Sequence, residues 1–119
     1  MSQGLIDRVL FDGRSIIADR RRRLRGREAV NAAGVECDPC DSEASRFCAI
    51  GAFIRAAYDL VCDWEAAQRL GWEAAAQVAE AAKLRHVDEH VWGLAHLSDT
   101  RGRAAVLRAV DAALQHRRA

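Results

Sequence analysis

The chain has 119 residues, half of them hydrophobic and 29% charged, with a formal net charge of +1. That length suits a single domain, residues 1–119, able to bury roughly two-thirds of its unfolded surface without metal or disulfide. The apolar half excludes disorder, and the near-neutral balance excludes a strong overall field for nucleic acid or anionic lipid.

Alanine dominates the apolar half while aromatics are 6%, which favours closely approaching helices over a β-sandwich built from branched and aromatic residues. The expected fold is mainly α: a compact helical domain of about five helices with a short β-hairpin near residues 29–37. Lys83 is the only lysine, every other basic residue being arginine, a codon signature of a GC-rich bacterial or phage genome. The stretch Met1 to Arg8 has no secretion-signal core, and no segment approaches the ~20 apolar residues of a membrane span. The expected location is therefore the cytoplasm, with Cys37, Cys40, Cys48 and Cys62 reduced.

In chain order, Leu5, Ile6, Val9 and Leu10 repeat at helical spacing, Asp12-Gly13 interrupts as a break or only a kink, and Ile16, Ile17 and Leu24 suggest a second helical segment running into Arg20 to Arg27. The basic block is expected on a helix's outer face, ending in a turn at Gly26. Ala29-Val30 and Val35-Glu36-Cys37 read as two short strands around Asn31-Ala32-Ala33-Gly34, because Asn and Gly tolerate positive φ. Cys37 to Ser42 is a loop holding the only proline, with Asp41 or Ser42 placed to cap the next helix.

That helix, from Phe47 to Val61, is apolar almost all round and is expected to be buried on more than one side. Asp63 is placed to cap a long helix whose Trp64, Ala67, Leu70, Gly71, Ala74, Ala75, Val78, Ala81 and Ala82 form one stripe ending near Arg85. His86 to Ser98 is less regular. Asp99 or Thr100 is then placed to cap a final helix with Val106, Leu107, Val110, Ala113 and Leu114 on one face and Arg117 and Arg118 at its C-terminal dipole.

Arg46-Phe47-Cys48-Ala49-Ile50-Gly51-Ala52 and the stretch Leu94 to Val106 carry a resemblance. The chain resembles a family of small bacterial and phage proteins of unknown function. Its pattern is an aromatic-Cys-Ala-x-Gly-Ala helix start after an Asp-Pro loop, and a Leu-Asn-Asp segment before a C-terminal helix. The likeness runs from about Ile16 onward, with Gly34 matching a glycine-centred turn. Ser98 stands where asparagine is usual, losing the amide's paired donor and acceptor. The resemblance implies a fold and no activity.

Four constellations carry candidate chemistry. Cys48 near a helix N-terminus is placed for a lowered thiol pKa, and with a base among His86, His90 and His96 and Asp99 as orienting acid it would make a Cys-His-Asp arrangement. Against that stands a small buried core thiol, the commoner fate of a free cysteine. Cys37-x-x-Cys40 holds half of a zinc spacing, with His86 and His90 as weak further ligands. His86-Val87-Asp88-Glu89-His90 formally matches a metalloprotease pattern without its third ligand or cleft. Arg21, Arg22 and Arg23, within the Arg20 to Arg27 block, offer planar forks to phosphates, while the absence of interleaved aromatics argues against nucleic acid.

Trp72, off the main stripe of its helix, hints at a protein contact surface. The expected function is a non-enzymatic module that binds another protein or itself through Trp72 and the alanine-rich faces of the long helix. No cofactor or membrane partner is expected. The alternatives are a thiol-dependent enzyme built on Cys48 and a nucleic-acid binder built on the arginine block.

Overall fold

The computed structural model describes residues 3–81 and 102–118. Helix α1 (Gln3–Ala18) leads through a 3-10 turn (Arg20–Arg22) to strands β1 (Ala29–Asn31) and β2 (Ala44–Phe47). Helices α2 (Ala49–Val61), α3 (Trp64–Ala81) and α4 (Arg103–Arg118) complete the described residues.

The unbroken apolar run of α2 dictates its place. Ala49 to Ile54, Ala56 and Ala57 are all buried, because α1 and α3 pack on different sides of the helix. Helix α4 closes the remaining edge against α1 and α3. Phe53, Ile54, Leu10 and Leu70 are fully enclosed, and each contributes roughly 1.5–3 kcal/mol relative to exposure. Ala67, Ala74, Ala75 and Ala79 of α3 are buried with Gly71. A Cβ on Gly71 would stand 2.7 Å from the Ile54 Cα, so the α2–α3 approach requires glycine there. Asp63 caps α3 as its position predicts: its Oδ2 accepts from the Ala66 amide at 2.9 Å.

Four α-helices stand among the described residues, against about five expected, because Gly13 does not interrupt α1. Gly13 is buried inside a continuous helix, and a Cβ there would overlap the Phe53 ring. The glycine serves close packing rather than a break.

The hairpin is also redrawn. The turn at Asn31 to Gly34 forms as read: Gly34 takes φ +82°, and Asn31 Oδ1 accepts from the Ala33 and Val35 amides at 2.9 and 3.0 Å. The 35–37 segment pairs with β1 through the single Val30–Glu36 bridge, flanked by the Asn31 amide donating to the Val35 carbonyl at 2.9 Å and the Cys37 amide to the Ala29 carbonyl at 3.1 Å, and is too short to be a strand of its own. The ladder partner is β2, antiparallel, with Ala29 opposite Phe47, Val30 opposite Arg46 and Asn31 opposite Ala44 across a bulge. Ala44 to Phe47 being strand, α2 starts at Ala49 and Cys48 caps it. Asp41, expected to cap that helix, instead closes a turn onto the Glu43 amide at 2.8 Å.

Two further expectations change. Trp64 lies off the buried stripe, 52% exposed. The Arg20–Arg22 turn is 3-10, its Asp19 side chain accepting from the Arg21 amide at 3.0 Å. Among the described residues no helix is long and apolar enough to cross a membrane.

Candidate functional site

The backbone around Phe47 draws together three segments. The Phe47 carbonyl accepts from the Leu24 amide at 3.0 Å, Arg23 bridges to Phe47 in parallel, and the Cys48 amide donates to the Glu28 carbonyl at 3.2 Å. This junction lies where α2 begins, with the arginine block on one side and the cysteine loop on the other.

Cys48 is half-buried, neither a core thiol nor a fully open one. Its backbone is extended (φ −75°, ψ 176°), and Sγ accepts from the Gly51 amide at 3.4 Å, so the thiol supplies the cap that Ser or Asp usually gives. His86, His90, His96 and Asp99, the partners proposed for it, lie outside the described residues.

The Cys37-x-x-Cys40 loop is a docked structural turn. Asp38 Oδ1 accepts from the Cys40 amide at 2.8 Å and Oδ2 from the Trp64 indole at 2.9 Å, while Arg55 donates to the Pro39 and Asp41 carbonyls at 3.3 and 2.6 Å. Pro39 is fully buried beneath it. Burial, reinforced by Asp38, pushes the Cys40 thiol up to about 12. Burial and then Asp41, Asp38 and Glu36 raise Cys37 as well. Both shifts favour the protonated thiol, opposite to the lowering that activates a nucleophilic cysteine. Among the described residues no three His, Cys, Asp or Glu side chains group as a metal site. Sequence reading missed the clamping roles of Arg55 and Trp64, because each reaches a loop far away in the chain.

The arginine block does not form one continuous face. Arg20 and Arg21 are exposed, Arg21 pairing with Asp19 at 3.5 Å. Arg22 lies over the Phe47 ring, 5.2 Å from its centre. Arg23 turns inward toward α4. Arg103, in the first turn of α4, was also missed. A cation there opposes the helix dipole, which is the signal that marks it.

Trp72 is half-buried and lines an open groove of about 490 Å³ with Gln3, Ile6, Arg69, Glu73 and Gln77, where α3 meets the start of α1. Ala67, Ala74, Ala75 and Ala79 of α3, by contrast, are spent on the core.

A family of unknown function, DUF6197, matches residues 1–116. The chain belongs to DUF6197. The match extends the resemblance read from the sequence back from about Ile16 through all of α1. No curated protein and no solved structure matches the chain. The family therefore supplies no activity, and the geometry alone carries the functional reading.

Proposed function

We propose that the chain is a non-catalytic interaction module that associates with a second copy of itself through the Trp72 groove. The carrying observation is the groove's composition. Trp72 and Ile6 line it together with Arg69 and Glu73, opposite charges four residues apart on one helix. Such a set is self-complementary: a two-fold axis through the groove brings each Arg69 to the other copy's Glu73 and the two Trp72 rings toward the centre. Aromatic anchors in a groove are the residues that dominate interface energies.

Sedimentation velocity over a concentration series tests this reading. Association is expected, with Trp72→Ala weakening it about thirtyfold, the effect of losing ~2 kcal/mol at a central anchor. Arg69→Glu should dissociate the pair, and adding Glu73→Arg to it should restore association. A monomer at every concentration, or a swap that fails to rescue, overturns it.

A further inference from the structure

Three guanidinium groups converge beside the first turn of α4. Arg23 and Arg103 line a pocket whose walls are Ile17, Leu24, Phe47, Ala49 and Val106. Arg25 reaches the same place: the position a Cβ on Gly102 would take lies 3.1 Å from Arg23 Nη2 and 3.6 Å from Arg25 Nη2. Gly102 has φ +84°, so this backbone demands glycine and leaves the space to the arginines. Arg103 is anchored by donating to the Ala18 carbonyl.

Arg23 Nη2 is buried and has no hydrogen-bond partner among the described residues. No carboxylate pairs with Arg23, Arg25 or Arg103 among those residues, although Arg8, Arg14, Arg21 and Arg55 each have one. Burial lowers the Arg23 pKa, with Arg25 and Arg103 adding to the effect, as expected of cations gathered without a counter-charge. A buried donor left unmade is costly, more so when charged, and such a cost persists where a ligand offsets it.

We propose that Arg23, Arg25 and Arg103 form a binding site for the phosphoryl group of a small ligand. The pocket holds about 10 Å³, room for one oxygen-sized atom. One terminal oxygen enters to meet Arg23 Nη2, and the others stay at the mouth. A phosphoryl group presents three acceptor oxygens and close to two negative charges, enough for three forks, where a carboxylate has two oxygens and one charge. The apolar walls strengthen each contact by excluding water. The site uses none of the residues of the Trp72 groove, so it stands or falls separately from self-association.

Inorganic phosphate is the probe, titrated into the full chain by calorimetry and thermal melting, with sodium chloride at matched ionic strength as control. The expected result is saturable one-site binding that raises Tm beyond the chloride control. Arg25→Gln, at an exposed side chain, should weaken it at least about tenfold. Arg23→Met should abolish it while melting no lower than the parent without phosphate, because it removes a cation whose buried Nη2 has no partner among the described residues. A chloride response equal to that of phosphate, or binding retained in both variants, overturns the site. Should Arg23→Met fail to fold, Arg25→Gln and the chloride comparison decide. A twelve-nucleotide single strand that binds but is not displaced by phosphate also overturns it, in favour of a polyanion surface with a steep salt dependence.

Discussion

On the carboxyl side of β1, the acidic loop Glu36 to Asp41 ties its side chains into its own turns: Asp38 holds Cys40 and Trp64, Asp41 holds Glu43, and Arg55 takes two of the loop's carbonyls. On the amino side, Arg23 and Arg25 converge on Arg103 with no carboxylate among the described residues and one buried nitrogen unpartnered. Both regions concentrate like charge next to the same strand. One satisfies its polar groups internally and so reads as architecture. The other leaves a buried donor without a partner among the described residues, which is the place the proposed phosphoryl ligand would take. The contrast separates structure from function more sharply than charge density does.

The largest effect expected from this contrast is chemical. If the acidic loop is a closed structural turn, Cys40 should resist alkylation by iodoacetamide at pH 8 while the chain is folded. A pKa of about 12 instead of 9.0 cuts the thiolate fraction about a thousandfold. The greater nucleophilicity of a more basic thiolate recovers part of that, leaving Cys40 about fiftyfold slower than in the unfolded chain. Exposed Cys62 serves as the internal control, with labelling followed by mass spectrometry. A Cys40 that reacts at the Cys62 rate breaks the comparison. The same experiment reads Cys48, whose rapid labelling near neutral pH is what a thiol-dependent enzyme would require.

Next in size is the clamp. Arg55→Ala removes two donors from the loop's carbonyls and should cost about 2 kcal/mol, near thirtyfold in the folding equilibrium. Urea unfolding should show a lower midpoint with an unchanged slope. Arg25→Ala, on the opposite side of β1, should stay within about 0.5 kcal/mol. Equal losses at the two positions would mean that both regions are architecture.

Much of the helical frame was legible because its signals are local. The three-and-four spacing along α3 and the cap at Asp63 need no knowledge of distant residues. Gly13 was misread because the same residue type marks a break or a close contact, and the Phe53 ring that decides between them lies on another helix. Ala44 to Phe47 gave no strand signal, since its apolar Phe47 runs straight into the apolar residues of α2, and only the β1 ladder makes it extended. Of the cationic site, Arg23 stood in a visible block, but its partner Arg103 and the spacing glycine Gly102 are brought to it by tertiary packing.

The smallest effect concerns Glu28, at the start of β1 between the two regions. Burial raises its pKa above 4.5, and the nearby Asp38 and Glu36 raise it further. The folded state therefore penalises the ionised form, and at pH 7 that penalty is fully present. As the pH falls through the raised folded value Glu28 takes up a proton, and below the unfolded value of 4.5 the penalty is gone. Glu28→Gln should accordingly melt higher than the parent at pH 7, with the advantage shrinking to nothing below pH 4.5. Comparing the two chains pH by pH cancels the titration of the other carboxylates. An advantage that persists at low pH would trace to packing rather than charge. A lower Tm at pH 7 would mean that a nearby arginine holds Glu28 as a carboxylate, and the charge boundary across β1 would have to be redrawn.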